Sequence, residues 1–293
     1  MNIAISGASG YIGQHLTAFL TAIGYRVVAL PRRLFREGMI GELVHELSHC
    51  DVVINLAGAP INKRWTLEYQ QEIISSRVQL THRLVHALDT LRQPPKLFIS
   101  TSAVGYYADN IVSDEYTNTR GRGFLADLCY AWEKEARRCP SCTRLVITRL
   151  GLVLSPDGGV MQQLLRPIQK ARLAVGFGPG TQAFPWIDMH DLCRAMAFII
   201  ENESVKGVVN LVSPQEITQH AFVRALGKAH KALATVLIPV RFTRMLMGES
   251  STMLTTGQYV RPTRILEAGF RFITPTVEDL FEENESRQTD QAN

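Results

Sequence analysis

Five short apolar runs, "NIAIS", "RVVAL", "DVVINLA", "KLFIS" and "RLVITRL", recur through the first 150 residues. They are rich in Val, Ile and Leu and show little polar alternation, which predicts strands buried on both faces, as in a parallel sheet. Between them, residues 11–23, 39–48, 67–91 and 124–138 repeat apolar positions three and four apart and read as amphipathic helices. Alternation of this kind predicts an α/β fold: a doubly wound parallel sheet, Rossmann-like, with right-handed crossovers and helices on both faces.

Past residue 155 the rhythm loosens. "SPDGG" reads as a turn, 160–172 as a helix and "GFGPGTQAFPW" as a Gly/Pro/aromatic loop. "DMHDLCRAMAFIIEN" reads as a helix with an aspartate at its N-cap. "GVVNLVS" is a further strand and "TQHAFVRALGKAHKA" a further helix, and the last fifty residues form a small mixed lobe in which Met245, Met247 and Met253 read as core. The tail "EENESRQTDQAN" is polar and reads as frayed. The division expected is a sheet domain over 1–158 and a substrate-side region with a C-terminal lobe over 159–293, a strand near 207–213 returning to the main sheet.

Composition narrows the classes. With 46% hydrophobic and 20% charged residues the chain is an ordinary globular one. The net charge of +4 comes from lysines and arginines that read as scattered, so no nucleic-acid stripe is expected and the excess suits an anionic cofactor. No secretory pattern and no spanning apolar run is visible, so the cytoplasm is the expected location and no membrane partner is expected. Five cysteines do not pair into a framework, and Cys139-Pro-Ser-Cys142 lacks the second pair of a zinc site. His45/His49 and His82/His86 each stand four apart and read as surface pairs, so no metal is expected.

Chemistry first becomes legible in "ISGASGYIG", where Gly7, Gly10 and Gly13 follow a strand and open a helix. A tight turn, a backbone that can touch a pyrophosphate and close helix packing all favour glycine. The free N–H groups of the helix start point at the same anion. Gly7, Ala8, Ser9, Gly10, Tyr11, Ile12 and Gly13 therefore form the expected phosphate loop. The second strand ends "VVALPRR", with Arg32 and Arg33 where an NAD site would offer an acid; NADP(H) is preferred over NAD(H), the alternative being arginines that only face solvent.

The glycine spacing, "NLAG", "ISTSAVGYY", "NLAGAPINKRWT", "EIISSRVQLT", "RLGLVLSPDGG", "FPWIDMHD" and "RILEAGF" together resemble the extended short-chain dehydrogenase/reductase superfamily, in its sugar-nucleotide epimerase-like branch. The resemblance covers essentially the whole chain. It implies a Rossmann domain with bound NADP(H), Arg32 by the adenosine phosphate, Leu56, Ala57 and Gly58 at the adenine-ribose edge, and Glu72, Arg77 and Leu152 among the cofactor contacts. Read from the residues alone, Glu72 and Arg77 are an ordinary exposed helical pair.

The same resemblance implies a Ser that positions substrate and a Tyr-x-x-x-Lys pair that moves the proton. Ser102 takes the first place, with Thr101 as the other candidate, and Tyr130 and Lys134 supply the spacing. If Glu133 is the superfamily's following glutamate, the pair's positions fall instead on Leu125 and Cys129. Tyr106 and Tyr107 then become the candidates for proton transfer, with Cys129 a third. Gln182, Phe184 and Trp186 read as a lid over a sugar or other ring, or equally as a plug between lobes. The function expected is an NADP(H)-dependent oxidoreductase or nucleotide-sugar epimerase-like enzyme acting on a small hydroxyl or carbonyl compound. The alternative is an NADP(H)-binding sensor or scaffold without turnover. The 67–91 helix allows a homodimer.

Overall fold

The computed structural model describes residues 1–117, 119–156 and 158–282, with nothing resting on the Leu246 side chain; Asp157 of the expected turn and all but the first residue of the polar tail lie outside the described residues. Six parallel strands make the central sheet: β1 (Asn2–Ser6), β2 (Arg26–Leu30), β3 (Val52–Asn55), β4 (Leu97–Ala103), β6 (Arg144–Leu150) and β10 (Gly207–Leu211). A two-residue strand, β5 (Val112–Ser113), lies between β4 and β6 in sequence. The spatial order is β10-β6-β4-β3-β1-β2. Chain order therefore reverses at β1, which opens a crevice outside the carboxyl ends of β1 and β3 where such sheets bind ligands.

Two cores cover the sheet. On one face α1 (Tyr11–Ala22) and α7 (Met189–Glu201) bury Leu16, Leu20, Leu192, Met196 and Ile199 against Ile3, Ile5 and Ile54. On the other, α2 (Ile40–Leu47), α4 (Leu80–Thr90) and α5 (Phe124–Ala136) bury Leu43, Leu47, Leu84, Leu88 and Ala136 against Val53 and Phe98. These side chains alternate between the faces of near-continuous apolar runs, as the period of two requires. Asp188 caps α7 and accepts from His190 N and Asp191 N, the expected role.

The 67–91 helix departs from regularity. It runs as α3 (Leu67–Ile74), a π turn over Ser75–Gln79, and α4. A π turn adds one residue to the ladder and re-aims what it carries; here it carries Arg77.

A second lobe holds β7 (Leu152–Ser155) paired with β9 (Trp186–Asp188), and β8 (Leu173–Phe177) paired with β11 (Ala234–Ile238). Helices α6 (Gly159–Ala171) and α8 (Gln219–Ala229) pack there over Trp186, Phe222, Leu226 and Phe281. Helices α9 (Val240–Met247), α10 (Thr252–Thr255) and α11 (Thr263–Glu267) follow, with β12 (Tyr259–Val260) pairing β5. Met253 packs with Trp65 and Leu128, but Met245 is 68% exposed, so it is not core.

Candidate functional site

The turn after β1 is built so tightly that side chains would not fit. A Cβ on Gly13 would lie 2.2 Å from the Gly7 carbonyl oxygen, and one on Gly7 would lie 2.8 Å from Ala57 N. Gly7 also has φ +77, a conformation L side chains rarely adopt. The β1–α1 turn thereby rests on Ala57 of the β3 end, as Gly13 lets α1 close on the loop. Gly10 caps α1 without a side-chain bond and no acid occupies the first turn, so the partial positive charge of the helix start faces the loop. Ala8, Ser9 and Ile12 complete this cradle, and the Tyr11 ring fills the space left by Gly158 and Gly159, whose Cβ atoms would each lie 2.8 Å from it. Tyr11 thus packs against the start of α6.

Around the crevice, a 3₁₀ turn (Arg32–Phe35) follows β2. Arg32 and Arg33 are exposed there, but Arg33 is paired with Glu42 at 3.0 Å, leaving Arg32 as the open cation of the two. Residues 26–36, the strand and the turn after it, contain no aspartate or glutamate. Arg77 lies flat along the β3 exit. Its Nη2 donates to Ala59 O at 3.0 Å and its guanidinium fills the space over Gly58, where a Cβ would come within 2.8 Å of Cζ. Ser76 Oγ accepts from Ala59 N at 2.9 Å, so the π turn clamps that loop twice. Burial lowers the Arg77 pKa. Glu72 is exposed on α3 and makes no ion pair with Arg77 among the described residues, so the two are not the helical pair read from the residues alone.

The strand ends are joined by a buried polar chain. Ser6 Oγ donates to Asn55 Oδ1 at 2.6 Å, Asn55 Nδ2 to Thr81 Oγ1 at 2.8 Å, and Trp132 Nε1 to the same hydroxyl at 2.9 Å. Thr101 Oγ1 donates to Asn55 O at 2.8 Å, which commits it to this platform. A fully satisfied network of this kind fixes geometry at a crevice floor.

At the β4 end the expected relay is not assembled. Ser102 is 4% exposed and its Oγ donates to Glu133 Oε1 at 2.9 Å. Glu133 in turn takes Arg149 Nε at 2.7 Å and Nη2 at 2.8 Å, a bidentate pair with almost no exposure, and Arg137 Nη2 at 2.9 Å. Burial opposes the Arg149 charge, but the Glu133 bonds and charge outweigh it and hold its pKa above the ordinary value. The guanidinium lies over the Tyr106 ring at 3.5 Å and the Tyr107 ring at 4.6 Å. Tyr107 is buried and donates to Asn210 Oδ1 at 2.9 Å; burial pushes its phenol up to about 12. Tyr106 is half-buried, and its hydroxyl makes no hydrogen bond among the described residues.

Helix α5 turns Cys129 and Glu133 toward Ser102. Cys129 is buried beside Ser102 and Ala103, and burial pushes its thiol up to about 11. Leu125, one turn earlier, lies beside Gly105. So Leu125, Cys129 and Glu133, spaced by four, face the strand end. Tyr130 and Lys134 are one residue further round: Tyr130 is 44% exposed under Arg120 at 4.5 Å, and Lys134 is exposed. The structure does not bring this pair to Ser102, because a one-residue step turns a helical side chain by about 100°.

The Gly/Pro/aromatic segment is a plug. Trp186 is fully buried in β9, and Phe184 stacks on Phe222 at 4.3 Å. Gln182 Nε2 donates to Phe177 O at 2.7 Å and Leu254 O at 2.8 Å, so both its donor bonds hold the lobe together. Gln182 and Trp186 are buried and Phe184 is half-buried. Leu152 pairs with Trp186 in register and packs in the same lobe. Sequence reading missed Arg149, which comes from β6; its strand-end position on "RLVITRL" was the available signal.

Comparisons with known proteins agree with this geometry. Residues 3–211 match the model of the NAD dependent epimerase/dehydratase family, and residues 238–283 match a domain of unknown function, DUF1731. Epimerase family protein SDR39U1 of Bos taurus is 34% identical over 286 residues, covering 94% of this chain and 96% of its own. Epimerase family protein SA0724 of Staphylococcus aureus is 37% identical over 80% of each chain. Among solved structures, human SDR39U1 isoform 2 with NADPH superposes with a TM-score of 0.89 at 32% identity, over 97% of this chain and 98% of that one. At 17% identity and a TM-score of 0.74, covering 98% of this chain and 99% of that one, UDP-glucuronic acid 4-epimerase of Bacillus cereus shares the fold. With the glycine turn, the switch-point crevice and these matches together, the chain belongs to the NAD dependent epimerase/dehydratase family, as an extended short-chain dehydrogenase/reductase of the epimerase-like kind.

Proposed function

We propose that the protein binds NADP(H) and acts as an oxidoreductase or epimerase-like enzyme on a small compound bearing a hydroxyl or carbonyl group. The observation that carries the reading is the cradle of Gly7 and Gly13, closed to side chains, with the N-terminal end of α1, which Gly10 leaves without a side-chain cap, above it and Arg32 exposed just past β2. The residues fit the cofactor chemically. Backbone N–H groups suit a pyrophosphate, and a guanidinium suits a 2′-phosphate that NAD(H) lacks. The human relative solved with NADPH supports the same choice. When bound, the nicotinamide supplies a hydride donor or acceptor. The chain's part is to hold the dinucleotide, keep the β4 end rigid through Ser102, Glu133 and Arg149, and present the free Tyr106 hydroxyl to substrate lying between the strand ends and the region from residue 159 onward.

Fluorescence titration with NADPH and NADH tests the binding. NADPH is expected to bind more tightly by about tenfold or more, since a charge-assisted hydrogen bond contributes about 1.5–3 kcal/mol. Equal affinities would sink the preference for NADP(H), and no binding would sink the whole reading.

A second reading, a cofactor-binding sensor without turnover, is favoured by one observation: Leu125 and Cys129 occupy the positions that Glu133 assigns to the tyrosine and lysine of the relay. NADPH oxidation against a panel of ketones, quinones and nucleotide sugars separates the two. Turnover that falls in Tyr106→Phe supports the enzyme; tight binding with no turnover across the panel supports the sensor.

A further inference from the structure

The charge of the chain is not spread evenly. Residues 217–248 contain Arg224, Lys228, Lys231, Arg241 and Arg244 and no aspartate or glutamate, giving +5 where the whole chain carries +4. The remainder therefore sums to −1. All five cations are exposed, and none makes an ion pair among the described residues. The reading of scattered charge holds for density but overlooks this absence of acids.

The same segment exposes apolar groups. Leu233, just before β11, and Val236 within it are exposed, and Val240, Phe242 and Met245 stand out of α9. Phe242 is 58% exposed and Met245 68%. Helix α9 is anchored by the opposite side, through buried Thr243 and half-buried Met247. It therefore turns an apolar stripe to solvent with Arg241 and Arg244 along its flank, the pattern of a helix that lies in a membrane interface. No helix among the described residues is long and apolar enough to cross a membrane, but a spanning segment is not what a peripheral face requires. Just past α9, Glu249 accepts from Gln70 of α3 at 3.1 Å, which ties the end of this face to the main domain.

We propose that α9, with the adjoining β11 edge, docks on an anionic lipid bilayer. Charge complementarity selects this occupant. A nucleic acid would answer the cations but leave Phe242 and Met245 in water. A second copy would set one cationic patch against another. An anionic bilayer meets both, taking the apolar stripe at the acyl boundary and the arginines among the headgroups.

Flotation of the full chain with phosphatidylcholine vesicles, with and without phosphatidylglycerol, tests it. Binding is expected only with phosphatidylglycerol and is expected to weaken as salt rises. Arg241→Gln with Arg244→Gln should lower the partition coefficient roughly 25-fold, about fivefold per cation. Phe242→Ser with Met245→Ser should abolish binding, and both double variants should keep the wild-type melting temperature because the altered side chains are exposed. A wild-type protein that stays out of the phosphatidylglycerol fraction overturns the proposal. So does binding that both double variants retain, or a concentration-dependent dimer that Phe242→Ser dissociates, which would assign the face to a second copy.

Discussion

The two ends of one crevice have been treated differently. At the β1–α1 turn and the neighbouring β2 end, features that suit a dinucleotide lie together: glycines with no room for a side chain, a helix start that no side chain caps, and the exposed Arg32. At the β4–α5 end the groups that the helix turns toward the strand are Leu125, Cys129 and Glu133. The first end is constrained by backbone packing, so almost any change there distorts the turn. The second is set by side chains alone, so the relay can be replaced without moving an element. Fold and cofactor cradle persist together, and chemistry is the separable part.

Breaking the second end should have the largest effect on stability. Glu133 is the carboxylate partner of buried Arg149 and also holds Ser102 and Arg137. Glu133→Ala leaves a buried guanidinium uncompensated, and removing one partner of such a pair costs about 3–5 kcal/mol. Chemical denaturation should show that loss. A change under 1 kcal/mol would mean that water replaces the carboxylate and that the network does not fix the strand end.

At the first end, Gly13→Val should cost about 1–3 kcal/mol by overpacking and should remove measurable NADPH binding, because Gly7 O and Ala8 must move aside. Retained nanomolar-to-micromolar binding in that variant would show that the turn yields more readily than its contacts imply. Arg32→Ala is milder. It should weaken NADPH by about tenfold to a hundredfold and leave NADH unchanged, since only the 2′-phosphate partner is lost. Equal losses for both cofactors would assign Arg32 to the turn and not to the phosphate.

These comparisons also mark what was legible in the chain. Buried strands and amphipathic helices follow from local periodicity, and the glycine turn from three residues within seven. The π turn was not legible, because residues 67–91 keep helical spacing throughout and the extra residue is fixed by Ser76 and Arg77 meeting Ala59. The cation beside Tyr106 was legible only as an arginine near a strand end; its place beside that ring comes from the pairing of β6 with β4. Gln182, Phe184 and Trp186 stayed open between lid and plug for a different reason. A lid and a plug use the same glycines and aromatics, and only the partners, here Phe222 and the Phe177 and Leu254 carbonyls, distinguish them.

A thiol count sharpens the assignment of Cys129. Burial keeps that thiol neutral, with a pKa of about 11, and Cys193 likewise, at about 12, so both should resist iodoacetamide in the native protein while exposed Cys142 reacts. Because thiolate is the reactive form, labelling of Cys129 should appear only on unfolding or as the pH nears that value. Rapid labelling of Cys129 at neutral pH would make it a reactive group of the crevice and not a packed one.

The smallest effect is expected where the motif is most conspicuous. Tyr130→Phe and Lys134→Ala change exposed groups on the far side of α5 from Ser102, so each should alter stability by no more than about 0.5 kcal/mol and leave NADPH affinity and any turnover as they were. Tyr130→Phe keeps the ring over which Arg120 lies, so it isolates the hydroxyl. The complementary pair, Leu125→Tyr with Cys129→Lys, puts the same two groups on the face that meets β4. If that double variant gains carbonyl reduction while Tyr130→Phe loses nothing, the relay's place on the helix is set by its register with Glu133. If Tyr130→Phe alone removes turnover, α5 must rotate or unwind when the cofactor binds, and the contrast between a fixed cradle and a replaceable relay fails.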